Sequence, residues 1–248
     1  TIADASDKAG GLLRYGIPRY RLPNEVLDGD IKRIEKMGVS FQMNTYIEDM
    51  LKAKEAGGYD ALFVAVGAQR ARTLDIPGDG GIAVVNAIDV LRQFENSADG
   101  GELSLGGKVV IYGGGNVAMD VARSAVRLGA AVQMVVLESR EQMPAHDFEV
   151  KEALEEGCQI QPLRTIARVE KGALVLEEMA LDTQGKPQPT GRFESLQADT
   201  VVLAIGQEVE THLVEGIDGV SVRDGVVEID EHMMTGHQGL FAGGDMVP

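Results

Sequence analysis

Apolar positions in "NEVLDGDIKRIEKMG" fall at Val26, Leu27, Ile31, Ile34 and Met37, a spacing that predicts a helix capped by Asn24 and ended by Gly38. The short run "VSFQM" predicts a strand, a helix-like piece follows, and "DALFVAVGA" is continuously apolar in the way of a buried parallel strand. Turn residues in "IPGDGG", Ile76 to Gly81, mark a boundary; a helix through "VNAIDVLRQFE" and a Gly-rich loop lead from it to Lys108. Strand "KVVIY", three glycines, helix "AMDVARSAVRLG" and strand "AVQMVVLE" then form a βαβ unit with short connections. "HDFEVKEALEEG" predicts a helix stopped by Gly157, and "TIARVEKGALVLEEMALD" a hairpin turning at Lys171 and Gly172. "ADTVVLAIG" repeats the character of "DALFVAVGA". The two strands, Asp60 to Ala68 and Asp199 to Gly206, therefore bracket the centre as crossing points into and out of an inserted domain. "GLFAGGDMVP" is a further apolar strand, ending in Gly-Gly-Asp. Strands and helices alternate throughout, which is the α/β class.

The triple glycine carries the most specific chemistry. Gly113, Gly115 and Ala118 follow the G-x-G-x-x-A form of the dinucleotide fingerprint. Gly113 allows the sharp turn off the strand, Gly115 omits a side chain where a pyrophosphate would approach, and Ala118 is small enough for close helix packing. The helix that follows offers free N–H groups and a partial positive charge to the phosphates. Glycines before a helix often do no more than turn the chain. Here the motif also follows an apolar strand, opens a helix, and is followed by a second strand whose end carries Glu138, twenty residues past Ala118, where the ribose-binding acid belongs. A carboxylate there accepts ribose hydroxyls and repels a 2′-phosphate, so NAD(H) is favoured over NADP(H). The alternative is that Glu138 faces solvent and Arg140 receives the phosphate.

Composition narrows the partners. The formal charge of -16, with no basic block, argues against nucleic acid and anionic membranes. No apolar run reaches the roughly eighteen residues of a membrane span, and "TIADASDKAGG" is not a signal peptide, so a cytoplasmic protein is expected. The single cysteine, Cys158, excludes an internal disulfide, a C-x-x-C redox pair and a thiolate cluster within this chain, and is read as packing. His146, His212, His232 and His237 show no ligand spacing, so no metal is expected, and there is no G-x-S-x-G elbow. Glu152, Glu155 and Glu156 read as a solvated helix face.

The stretches "AGGLLRYGIPRYRLPNEVL", "GGGNVAMDVARSAVRLGA", "SREQMPAHDFEVKEALEEG" and "GLFAGGDMVP" resemble the flavoprotein small (beta) subunit of glutamate synthase and the similar FAD and NADP domains of dihydropyrimidine dehydrogenase. The resemblance covers essentially the whole chain. It implies an NAD(P)-binding Rossmann-like domain, residues 81–206, inserted into an FAD-binding one, residues 1–80 and 207–248, with hydride passing from nicotinamide to flavin. By position, it implies that Asp4 binds the FAD ribose, that Gly10, Gly11 and Leu12 form a turn along the cofactor, and that Arg21 reaches FAD. It also sets Ile47 at the adenine end, Gly67 and Gly206 at the close of the crossing strands, and Asp245 on the ribityl or pyrophosphate part. Gly114, Gly115, Asn116 and Val117 match the phosphate loop, and Ala204, Ile205 and Gly206 the nicotinamide side. Simpler readings stand beside these: Arg14, Arg19 and Arg21 as a solvated basic loop, and Asp245 as a helix cap.

Two departures from the resemblance matter. Members that use NADPH resemble "YRRSREEMPA" where this chain has "VLESREQMPA", so Leu137 and Glu138 replace an arginine pair. The family's own first FAD glycine loop, which precedes Asp4, and the helix after "GGD" have no counterpart here, so the chain is expected to be a fragment.

Hydride transfer between two stacked rings needs alignment more than side-chain acid or base, so no catalytic residue is assigned. The favoured function is electron input from NADH through FAD to iron-sulfur centres in a partner domain or large catalytic subunit. The alternatives are a ferredoxin or pyrimidine reductase subunit and a nucleotide-binding module without redox activity. The resemblance predicts that a polypeptide of this sequence holds FAD poorly or not at all. Flavin absorbance of the purified chain checks this, and a yellow, stoichiometrically flavinated preparation would contradict it.

Overall fold

The computed structural model describes residues 1–96 and 104–248. In chain order the first elements are β1 (Ile2–Ala3), α1 (Leu12–Tyr15), α2 (Asn24–Lys36), β2 (Phe41–Gln42), α3 (Met50–Gly57), β3 (Leu62–Val64) and β4 (Arg70–Ala71). Next come β5 (Ala83–Asn86), α4 (Ala87–Asn96), β6 (Lys108–Tyr112), α5 (Asn116–Arg127), β7 (Ala131–Val135), α6 (Asp147–Glu155) and β8 (Gln159–Gln161). The strands β9 (Arg164–Glu170), β10 (Ala173–Leu181) and β11 (Pro187–Gln197) precede β12 (Thr200–Leu203). The short strands β13 (Gln207–Glu208), β14 (Val222–Arg223), β15 (Val226–Val227) and β16 (Leu240–Ala242) complete the order. These elements fall into two compact units. One holds Thr1–Gly11, Asp28–Ala71 and Gln207–Pro248, the other Leu12–Leu27 and Arg72–Gly206.

The second unit is built on a five-stranded sheet, β5-β12-β6-β7-β8, with every neighbouring pair parallel. Its central strand reads as a continuous apolar run because both of its faces are covered. Val109 and Ile111 point into a core shared with Ala118, Met119 and Ala122 of α5 and Leu91 of α4. Val110 and Tyr112 point the other way, onto Ile166, Leu174 and Leu176 of an antiparallel sheet ordered β11-β10-β9. The β9–β10 hairpin turns at Lys171 (φ 54°) and Gly172 (φ 71°), two left-handed residues that match the twist of the flanking strands.

In the first unit β1 pairs with β2 and β16 with β3, both parallel. Met50, Val64, Leu213, Val227, Leu240 and Met246 form its core. The antiparallel pair β4–β13 places the outgoing and returning chain side by side.

Several sequence expectations are corrected. The expected cut at 80/81 lies instead at Ala71/Arg72, because the "IPGDGG" turn is bonded to the hairpin: Val169 N–H donates to the Pro77 carbonyl (2.8 Å) and Lys171 N–H to Asp79 Oδ2 (2.8 Å). Leu12–Leu27 belongs with the second unit. The strand within Asp199–Gly206 is no counterpart of the one in Asp60–Ala68. β12 lies between β5 and β6 in the parallel sheet, whereas β3 pairs with β16. "VVN" is sheet and the helix after it starts at Ala87; two valines are too short a run for periodicity to separate. β11 carries Pro187 and Pro189, which an edge strand tolerates, and its polar composition hid it from the sequence reading. Asn24 lies within α2 itself, directly after Pro23. Of the Gly-rich loop before Lys108, residues 97–103 lie outside the described residues.

Ile111 is fully buried at the centre of the sheet. Ile111→Ala is expected to lower unfolding stability by about 2–5 kcal/mol, measured by urea denaturation, through lost burial plus the cavity left behind.

Candidate functional site

The glycine loop leaves the C-terminal end of β6 at the point where the chain goes to β7 on one side while β12 lies on the other, the switch point at which open α/β sheets bind ligands. Gly113 has φ 138°, and its N–H donates to the Val135 carbonyl (3.0 Å). A Cβ there would meet the Ala204 carbonyl oxygen at 2.3 Å. A Cβ on Gly114 would meet Val136 Cγ1 at 2.7 Å, and the Gly114 carbonyl accepts the Ala145 N–H (3.1 Å). Gly115 differs: a Cβ would find only Pro144 Cγ, at 3.9 Å. The first two glycines are thus required by the protein's own packing, while the third leaves room beside the backbone.

Gly115 is the N-cap of α5 and no side chain caps that helix. Its first-turn N–H groups and dipole are offered outward, a combination suited to an anion. Ala118 is fully buried and lets the helix sit close on the sheet, with Val117 packed at the rim of the same core. Asn116 Oδ1 accepts the His146 N–H (3.1 Å), which ties the 139–146 segment to the loop.

The Ala204 N–H donates to the Tyr112 carbonyl (2.8 Å), so Ala204, Ile205 and Gly206 leave β12 directly beside the glycine loop. Gly206 has φ 105°, and its carbonyl accepts the Arg72 N–H (3.1 Å). Glu138 is half-buried three residues beyond β7; its carbonyl accepts the Leu163 N–H (3.1 Å), and its carboxylate has no partner among the described residues. Arg140 Nη1 stands 4.0 Å from Asp147 Oδ1.

In the first unit, Gly10, Gly11 and Gly67 have φ 128°, 52° and 71°. A Cβ on Gly11 would lie 3.9 Å from Gln69 Nε2, and one on Gly67 would lie 3.7 Å from Asp245 Oδ2 and 4.0 Å from Gln69 Nε2. Gly11, Gly67, Gln69 and Asp245 are thereby gathered: bare backbone beside an amide and an exposed carboxylate, groups that fit the hydroxyls of a cofactor. Gln69 was missed by the sequence reading; its signal was its place just past the apolar strand, after Gly67. The Asp4 carboxylate accepts the Ser6 N–H (2.8 Å) and so shapes its own turn, and Ile47 packs at the edge of the core. Leu12 opens α1, in the second unit.

Arg21, expected to reach FAD, has its guanidinium on two carboxylates of the second unit: Nη1 is 2.5 Å from Asp120 Oδ2 on α5 and Nη2 is 2.5 Å from Glu149 Oε1 on α6. The three arginines are not a solvated loop. Arg14 is buried, and Arg19 Nε bonds the buried Glu95 carboxylate (2.8 Å). Burial raises the Asp120 carboxyl above the ordinary carboxylate range against the pull of Arg21. Burial, aided by the Asp120 charge, pushes the Tyr20 phenol up to about 12, while Arg123 and Arg127 lie over its ring at 4.9 and 3.9 Å. Glu152 and Glu156 are not merely solvated: both bond Arg123, and Glu156 also bonds Arg127. Cys158 lies in the core, its thiol pushed up to about 11 by burial, as a packing residue would be. Among the described residues no group of three or more His, Cys, Asp or Glu side chains could hold a metal ion, and no helix is long and apolar enough to cross a membrane.

The fold and the glycine loop define an α/β protein of the FAD- and NAD(P)-binding kind. Residues 27–248 match the family described as pyridine nucleotide-disulphide oxidoreductase, and the chain belongs to it. It is 36% identical over its whole length to the NADP(+)-dependent formate dehydrogenase subunit beta of Moorella thermoacetica, of which it spans 37%. It is 31% identical over 99% of its length to the glutamate synthase NADPH small chain of Azospirillum brasilense, spanning 56% of that protein. Among solved structures, Mycobacterium tuberculosis FprA in complex with NADPH superposes with a TM-score of 0.77 at 19% identity, covering 99% of this chain and 71% of that one. That last likeness is one of fold.

Arg21→Ala leaves Asp120 and Glu149 buried without their shared cation. It is expected to cost on the order of 3 kcal/mol near neutral pH. Because the Asp120 carboxyl already sits above its unfolded value, protonation favours the folded state, and its contribution falls as pH rises through that window. The deficit of Arg21→Ala should therefore shrink as pH is lowered towards the carboxylate range, read from urea unfolding at a series of pH values.

Proposed function

We propose that this protein is a pyridine-nucleotide-dependent flavoprotein oxidoreductase of the glutamate synthase small-subunit type. In this reading the second unit takes NAD(P)H, with NADH favoured, and the first unit takes FAD. Electrons then leave for iron-sulfur centres in a partner domain or a large catalytic subunit. The observation that carries the reading is the uncapped N-terminus of α5, reached across the open side of Gly115, with the unpartnered carboxylate of Glu138 three residues past the neighbouring strand.

Each part has a task. Free N–H groups at α5 hold the pyrophosphate, Glu138 accepts the ribose hydroxyls, and Ala204, Ile205 and Gly206 line the nicotinamide side. Gly11, Gly67, Gln69 and Asp245 would supply backbone and hydroxyl contacts to the flavin nucleotide, contacts that by themselves hold it poorly. Bound flavin would accept a hydride from the dihydronicotinamide and hand electrons on singly. Support for an electron-input role also comes from the relatives, both named as parts of larger enzymes.

A second reading has NADPH as the donor. It is favoured by Arg140, two residues from Glu138 and loosely held, and by the NADP(+) and NADPH in the relatives' names. Titrating the chain with NADH and NADPH, followed by nucleotide fluorescence, separates the two. NADH is expected to bind more tightly, and Glu138→Ala to weaken it about tenfold, the worth of hydrogen bonds to a charged acceptor. Tighter NADPH binding, lost in Arg140→Ala, would establish the second reading.

A further inference from the structure

Glu138 and Arg140 flank a single residue, Ser139, whose hydroxyl donates to Glu141 Oε2 (3.0 Å) and whose peptide is held by a side chain outside the glycine loop. Gln142 Oε1 accepts the Ser139 N–H (3.4 Å), and the Gln142 N–H donates to the Ser139 carbonyl (3.1 Å). Gln142 Nε2 donates to the Gly185 carbonyl (2.8 Å) in the turn between β10 and β11. That turn is a firm anchor. Asp182 Oδ1 accepts the Gln184 and Lys186 N–H groups (2.8 and 2.9 Å), and these bonds hold its carboxyl below the usual range. Gly185 has φ 74°, and a Cβ there would press on Gln142 Nε2 at 3.2 Å. At its far end the same segment is pinned to the glycine loop by Ala145 on Gly114 and His146 on Asn116.

We propose that Gln142 is a positioning residue for nucleotide selection: its carboxamide fastens the Ser139 peptide to the 182–186 turn and so sets which of Glu138 and Arg140 is presented to the ribose. This rests on the reading of those two residues as selectors given above. Without the tether the Ser139 N–H loses its acceptor and the segment is held only through the Glu138 and Ser139 carbonyls, which accept from the Leu163 and Gln142 N–H groups, so the guanidinium and the carboxylate come into closer competition for one place.

The test is the ratio of NADPH to NADH dissociation constants, by fluorescence titration, in the wild type, Gln142→Ala, Gln142→Glu and a control on the same turn, Gln184→Ala. Gln142→Glu keeps an acceptor for Ser139 but cannot donate to the Gly185 carbonyl. Both Gln142 variants are expected to move the ratio about three- to tenfold towards unity, the worth of one hydrogen bond, with unchanged melting and faster amide exchange at Ser139. Gln184→Ala should leave the ratio alone. A discriminating wild type with an unaltered ratio in Gln142→Ala overturns this inference and spares the selectors. A wild type that binds neither nucleotide, or both equally, overturns the selector reading and this inference with it.

Discussion

The carbonyl oxygen of Ala204 would stand 2.3 Å from any Cβ at position 113, and this exclusion governs the second unit's geometry. With glycine there, β6 and β12 run side by side to their C-terminal ends, Leu203 opposite Tyr112. The chain then turns at once into α5, whose N-cap, Gly115, has no side chain with which to cap it. The helix N-terminus is therefore left open at the switch point of the sheet, and the residues leaving β12 are delivered next to it. Packing accounts for two of the three glycines: Gly113 and Gly114 are small because the protein crowds them, whereas Gly115 is small where the protein leaves space.

A second constraint acts across long sequence separation. Arg21 lies 99 residues from Asp120, yet their side chains meet at 2.5 Å, and Glu149 joins from a second helix. An arginine fork suits two carboxylates because its donors diverge in one plane. Buried carboxylates without that cation would be costly, so the 18–22 segment is held to α5 and α6 by electrostatics as well as by packing. Tyr20 adds to this by lying beneath Arg123 and Arg127, which in turn hold Glu152 and Glu156. The family's description includes disulphide chemistry, but the single cysteine of this chain is a core residue with a thiol suppressed by burial.

Local pattern was enough for the central βαβ unit, for the hairpin turn at Lys171 and Gly172, and for the helices ended by Gly38 and Gly157. Strand, glycine turn and helix are all written in contiguous residues, and so was the candidate phosphate loop. The spacing to Glu138 was legible because a βαβ unit has a nearly constant length.

Tertiary structure alone decided the rest. It decided that Leu12–Leu27 joins the second unit, that β12 sits within the inserted sheet, and that Arg21 spends its charge on Asp120 and Glu149. It also brought Gln69 to Gly11 and Gly67, and Gln142 to Gly185, 43 residues away. Periodicity and turn chemistry are properties of neighbouring residues, so a sequence declares them outright. Which cation meets which carboxylate, and which amide meets which carbonyl, depends on how distant elements are stacked, and that is settled only when the core closes.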